Sequence, residues 1–274
     1  MQLDQDMHVH STFSDGRHQP EEVLMSAQIR GIHKLGFADH VRRDTDWLPD
    51  YVAHLRDLRA RYPKVEIVIG VESKMLDPRG TLDIPEDIEG VERILVADHR
   101  LPLGAELLGP RQVKERLADG RLQIRDVIDA LLCAYQGCIE RYDDLQIAHP
   151  LSFLAKVGIP EWRMPMVTLY RLACLMAARG VVVEVSERWR CPSASIIRVM
   201  RRAGVAVVAS TDAHDANDVG CYQYVKTVAA SGVAHAVEDA GRYQYVKTAS
   251  ASAVAHAIDD VRHQYVRTSE CRLS

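Results

Sequence analysis

Six cysteines stand among 274 residues, and no two of them form a CxxC pair. Neither a disulfide framework nor a thiolate metal knuckle is indicated, and Cys133, Cys138, Cys174, Cys191, Cys221 and Cys271 read as reduced packing residues. No apolar run approaches the roughly 20 residues that span a bilayer. The first residues lack a basic stretch followed by an apolar one, so no signal peptide and a cytoplasmic location are expected. An excess of one charge is missing too. With 34 Lys and Arg against 38 Asp and Glu the net charge is -4, which weighs against a long nucleic-acid partner. No GxGxxG follows a strand candidate, and neither GxxxxGK[ST] nor GxSxG occurs. The usual nucleotide cradles and the serine nucleophile elbow are therefore absent.

What is present is ordinary globular material, 47% hydrophobic and 26% charged, enough for one α/β barrel or two small domains. Short apolar runs suit strands at residues 7–10, 34–40, 65–72, 93–99, 145–150, 180–186 and 205–211. Between them lie helical patterns. PEEVLMSAQIRG (20–31) opens on a proline and two acids and closes on glycine, and DYVAHLRDLRARYP (50–63) ends at a proline. TLYRLACLMAARG (168–180) and SASIIRVMRRAG (193–204) each end at glycine. Strands alternating with helices predict parallel pairing.

The end of the chain differs. QYVKT at 223–227 recurs at 244–248, and QYVRT follows at 264–268. The repeats are too few for an independent solenoid. They read as a helical extension, with a boundary that makes 1–242 the barrel and 243–274 the extension. The first copy, near 223–240, is expected to supply the closing helix of the barrel, and the later copies offer a route to homo-oligomers.

Ligand-type residues gather at the strand ends. His8 and His10 stand two apart, and i, i+2 side chains on a strand share a face. The other ends carry Asp39-His40, Glu72, Asp98-His99, His149, and then Asp212 and His214. Six of the 12 histidines fall at such ends. In parallel barrels this is the face where chemistry sits. Imidazole and carboxylate together suit zinc, manganese or iron. Asp39 and Asp98 each precede a stronger candidate and are expected to cap or support rather than ligate. His18, His33, His54, His235, His256 and His263 carry no such pattern.

MHVHSTFSDG, FADH, GVE, ADH, AHP and STDAH, in that order from residue 7 to 214, resemble the motifs of the PHP (polymerase and histidinol phosphatase) family. The resemblance implies a distorted (β/α)7 TIM-like barrel holding two to three divalent transition-metal ions. By the same resemblance His8, His10, Glu72 and Asp212 would hold one ion, Glu72, His99 and His149 a second, and Asp15, His40 and His214 a third, with Glu72 as the bridge. Two departures stand out: Asp98 occupies a position where the family's phosphatases usually have a small residue, and the repeated tail has no counterpart.

Such a centre suits hydrolysis of phosphate esters, with Asp212, His214 or Glu72 handling protons. Phosphate also needs cations. Arg42, Arg43 and Arg100 follow candidate ligands, and Arg188 and Arg190 flank Trp189 in SERWRCPS, so these five are expected at the active face. A small phosphomonoester, of the histidinol phosphate type, is the expected substrate. The alternatives are a phosphodiesterase or nuclease acting on nucleotides or DNA ends, and a non-catalytic scaffold.

Overall fold

A computed structural model describes residues 1–234. The expected extension at 243–274, with its boundary, lies outside the described residues. The strands are β1 (Gln5–Val9), β2 (Lys34–His40), β3 (Glu66–Lys74), β4 (Arg93–Ala97), β5 (Leu101–Leu103), β6 (Glu106–Leu108), β7 (Leu145–Ile147), β8 (Val182–Ser186) and β9 (Ala206–Ser210). The helices are α1 (Pro20–Ile29), α2 (Leu48–Arg61), α3 (Pro110–Ala118), α4 (Ile124–Arg141), α5 (Ser152–Lys156), α6 (Met166–Ala178), α7 (Ala194–Arg202) and α8 (Tyr224–Ala234).

Seven strands form one sheet in the order β1-β2-β3-β4-β7-β8-β9, and every neighbouring pair is parallel. The sheet curls on itself. Just past β9, Asp212 N donates to His8 O at 2.9 Å, and His10 N donates to Ala213 O at 2.8 Å. Those bonds close a distorted (β/α)7 TIM-like barrel. The distortion is local: β7 has only three residues, and the β1–β2 register slips between Asp6 and Val9.

The strands fold this way because they are buried on both faces, which near-continuous apolar runs permit. Phe37, Ile69, Val71, Val96, Ile147 and Val183 pack against the helices in the main core. The opposite parity carries a second, small cluster, Ala38, Leu95, Ala97 and Ala148. Ala38 and Ala97 precede His40 and His99 by two residues, so small side chains line the barrel interior below the candidate ligands. The helices bury one stripe each. Leu48, Tyr51, Val52, Leu55 and Leu58 do so on α2, and Ile196, Ile197 and Met200 on α7, whose Arg198, Arg201 and Arg202 lie off that stripe.

Two differences from the sequence expectation matter. β4 and β7 stop two residues before His99 and His149 respectively, so those histidines stand on the loops just past the strands. At His149 the reason is the backbone, which turns left-handed with φ 29°. Between His99 and Leu145 the sequence suggested no element; the structure has the β5–β6 hairpin, α3 and α4 there. On α4 the buried positions Val127, Leu131, Tyr135 and Cys138 recur at three- and four-residue steps, a helical period. The first repeat copy starts α8, which buries Val225 and Val228. Among the described residues no helix is long and apolar enough to cross a membrane.

Candidate metal centre

The loop after β1 is tied down before it delivers anything. Asp39, fully buried on β2, accepts from Ser11 N at 2.9 Å, Ser11 Oγ at 2.7 Å, Ser14 N at 3.1 Å and Ser14 Oγ at 2.7 Å. Gly16 then folds back so closely that a Cβ would lie 2.7 Å from the carbonyl carbon of His10. Only glycine fits there, and the fold-back presents Asp15. Its Oδ2 stands 3.6 Å from His40 Nε2 and 3.3 Å from His214 Nε2, and its Oδ1 stands 3.7 Å from His10 Nδ1.

Glu72, on β3, is the hub. Its Oε2 lies 3.4 Å from His8 Nε2, 3.5 Å from His10 Nε2 and 2.9 Å from His40 Nδ1. Its Oε1 lies 3.4 Å from His99 Nε2 and 2.9 Å from His149 Nε2. Across the cluster, Asp212 Oδ1 is 3.2 Å from His10 Nε2, 3.5 Å from His214 Nδ1 and 3.8 Å from His8 Nε2. All nine candidate ligands are thus brought together. Three subsets each place their donor atoms within 4.8 Å of one another: His10, Asp15, His40 and His214; His8, His10 and Glu72; His40, Glu72 and His99. The grouping differs in detail from the family pattern, since His10 and His40 each serve two subsets.

A second layer orients these groups. His8 Nδ1 faces Glu184 Oε2 at 3.1 Å, which turns Nε2 toward the cluster. Glu184 also accepts from Gln146 Nε2 at 2.9 Å and from the His149 backbone N–H. His149 Nδ1 lies 3.3 Å from Asp98 Oδ1 and 3.0 Å from Ser152 Oγ. Asp98 therefore supports a neighbouring histidine rather than joining the cluster. Trp189 Nε1 donates to Asp212 Oδ2 at 2.6 Å, leaving Oδ1 for the imidazoles. Sequence reasoning missed Glu184 and Gln146. The signal was available for Glu184, a charge embedded in the apolar strand GVVVEVS, which burial tolerates only with partners.

The electrostatics follow from crowding imidazoles around carboxylates. Burial would raise Glu72, but His8, His99, His40 and His149 hold it well below the usual carboxylate range. Burial opposes the same shift at Asp212, where His8 and His10 pull the carboxyl down. At Asp15 the His214 contact is the largest cause, with His40 and His10 adding to it. Burial disfavours charge on His149, yet Asp98 and Glu72 push it up to about 10. His8 is likewise raised, by Glu184, Glu72 and Asp212 against its burial. The carboxylates are held low by the imidazoles crowded around them.

That charge distribution fits metal ions, and so does the spacing. Two donors on one tetrahedral ion at about 2.1 Å stand about 3.4 Å apart, the separation that recurs here. His10 Nδ1 is moreover buried with no hydrogen-bond partner. His149 and Asp212 hold left-handed backbones, φ 29° and 56°, and such strain in non-glycine residues concentrates at functional sites.

A cavity of about 610 Å³ opens beside the cluster, walled by Phe13, Asp15, His40, Arg42, Trp47 and His99. The five arginines separate here. Arg188 Nη1 lies 2.8 Å from His214 Nδ1 and donates to Asp212 O at 3.2 Å. Arg42 lines the cavity. Arg43 lines a different one, of about 490 Å³, with its backbone N–H on Asp83. Arg190 lies 5.9 Å over the Tyr224 ring, and Arg100 lies beside Gly109. A cation that the sequence did not suggest is Lys156, whose Nζ sits 3.9 Å from the centre of the Trp189 ring. That ring in turn lies 5.7 Å from His149.

Residues 6–139 match the PHP domain family, a stretch that holds six of the nine candidate ligands, His8 through His99. The fold is similar to a histidinol phosphate phosphatase from Lactococcus lactis subsp. lactis, solved with zinc, L-histidinol and phosphate. The TM-score is 0.60 at 18% identity, over 87% of this chain and 94% of that one. It is also similar to a histidinol phosphatase described as putative, from Listeria monocytogenes, with TM-score 0.55 at 14% identity over 79% and 97% of the two chains. At these identities the likeness is one of fold. No curated protein matches the chain.

Proposed function

We propose that the chain is a member of the PHP domain family, which residues 6–139 match, and that it is a metal-dependent phosphoesterase acting on a small phosphomonoester. The observation that carries the reading is the set of five imidazoles around the two oxygens of buried Glu72, at 2.9 to 3.5 Å. Nine residues, His8, His10, Asp15, His40, Glu72, His99, His149, Asp212 and His214, would hold two to three ions of zinc, manganese or iron, with Glu72 shared. When bound, such ions make water nucleophilic near neutral pH and neutralise charge on phosphoryl oxygens.

The chain's own groups do the rest. Arg188, anchored on Asp212 O and His214, and Lys156, held over Trp189, are the cations best placed to grip a phosphate. Arg42 would meet the part of the substrate lying in the adjoining cavity. Of the three candidates for proton handling, Asp212 is favoured. Glu72 is encircled, and His214 Nδ1 already accepts from Arg188, because a guanidinium only donates. Asp212 has Oδ2 fixed by Trp189 and Oδ1 directed into the cluster. The 610 Å³ cavity is within the range that takes a small ligand, which favours a small ester over a polymer. The relative from Lactococcus lactis was solved with L-histidinol and phosphate, so histidinol phosphate is the first substrate to try. Cys138 and Cys191 are buried thiols, which suits the reducing cytoplasm we assign to the protein.

Protein reconstituted with each of the three metals should release phosphate from at least one small monoester among histidinol phosphate, nucleotide monophosphates and sugar phosphates. Faster cleavage of single-stranded DNA would move the assignment to a phosphodiesterase or nuclease. Loaded protein that turns over none of these would instead favour the non-catalytic scaffold.

A further inference from the structure

The first copy of the repeated motif does not merely begin α8; it plugs into a built seat. The Glu187 carboxylate accepts three successive backbone N–H groups, Gln223 at 2.9 Å, Tyr224 at 3.0 Å and Val225 at 3.0 Å. A carboxylate there satisfies free donors and complements the positive end of the helix. Tyr222 is buried, and its hydroxyl donates to Gln5 O at 2.6 Å, on β1. The Tyr224 hydroxyl donates to Pro192 O at 3.0 Å. Val225 and Val228 complete the apolar contact. The seat thus reads four side chains, Tyr222, Tyr224, Val225 and Val228, and three backbone donors.

Three of those four side chains recur, in the same order, 21 residues further on. YQYVKT at 222–227 is identical to YQYVKT at 243–248, so Tyr243, Tyr245 and Val246 repeat Tyr222, Tyr224 and Val225. The position of Val228 becomes Ala249, a smaller apolar residue. In the third copy, HQYVRT at 263–268, His263 replaces the buried tyrosine and cannot supply its hydroxyl. We propose that the seat formed by Glu187, Pro192 and Gln5 is a binding site for the YQYV motif, and that residues 243–248 are an interchangeable occupant that closes the barrel when the first copy is missing or damaged. In the intact chain the first copy holds the seat, because admitting the second requires looping out 21 residues, a cost that grows only slowly with loop length. The third copy is the poorest occupant. The repeats then act as spare closing segments for the strand that feeds Arg188 and Trp189 to the centre, since Glu187 directly precedes them.

The experiment needs only unfolding, so it stands whether or not the phosphoesterase reading does. A chain lacking residues 222–242, in which Tyr243 follows Cys221, should melt within about 5 °C of the full chain, the small loss reflecting Ala249 in place of Val228. A chain ending at Cys221 should melt at least about 10 °C lower or fail to fold. Tyr243→Phe in the deletion chain should lower its melting point as much as Tyr222→Phe lowers that of a chain ending at Arg242. In the full chain, which keeps the spare copy, Tyr222→Phe should cost less than in the chain ending at Arg242. A deletion chain no more stable than the one ending at Cys221, or indifferent to Tyr243→Phe, would overturn the proposal.

Discussion

Two layers of buried carboxylates lie a few residues apart in this barrel, and they are satisfied in different currencies. In the lower layer, Asp6, Asp39, Asp98 and Glu184 accept mainly from fixed N–H and O–H groups. Asp6 takes Thr211 N at 2.9 Å and Gly220 N at 2.9 Å, and Asp39 takes four donors from the loop after β1. In the upper layer, Glu72 and Asp212 have few such donors and are surrounded by imidazoles. Asp6 and the upper pair differ in titration: burial pushes Asp6 up to about 6 despite its donors, whereas histidines hold Glu72 and Asp212 low despite burial. Residue type and depth are therefore poor guides to role. What distinguishes a candidate ligand from a support is whether its partners are fixed N–H and O–H donors or a crowd of imidazoles.

The difference can be broken most forcefully at the hub. Glu72→Gln keeps the volume but removes the charge, and should lower phosphatase turnover on the order of 10²- to 10³-fold while the melting curve stays cooperative. Near-normal turnover in that variant would remove Glu72 from the upper layer. Converting a support is expected to be milder. Glu184→Gln leaves His8 without its carboxylate and should weaken metal binding about 10- to 100-fold, the usual scale for groups behind a ligand, as read by chelator competition. An unchanged affinity would make Glu184 a packing residue.

Finer tests address single contacts. Trp189→Phe preserves the ring and deletes the N–H to Asp212 Oδ2. Metal affinity should fall about tenfold, in line with losing one bond to a charged acceptor, as read by chelator competition. Trp189 acts through Asp212, so an unchanged affinity would make it a packing residue. Among the cations, Arg188→Ala should raise KM about tenfold, while Arg43→Ala, on the other cavity, should leave both constants unchanged. Equal effects from the two would mean that the cavity division carries no meaning for substrate.

Much of this was legible in the sequence, for stated reasons. The strands could be read because doubly buried strands need unbroken apolar runs, as in VEIVIGVE. The candidate ligands could be grouped because parallel strands end together at one face, so His40, Glu72 and His99 had to meet there. The limits were physical as well. Glu184 resembles its neighbours in a strand until its partners His8 and Gln146 are in place, and both come from distant segments. Lys156 gains its position only by resting on Trp189, which a different loop supplies. Arg43 follows Arg42 directly, yet the backbone bond to Asp83 carries it to another cavity, a turn that adjacency in sequence does not encode.

The central claim is that the upper layer is completed by metal. Elemental analysis of protein reconstituted with zinc, manganese or iron, alongside Glu72→Gln, tests it most directly. Two to three ions per chain are expected in the unaltered protein, with a clear loss in the variant. At most one ion per chain after reconstitution, or equal loading in both, would contradict it.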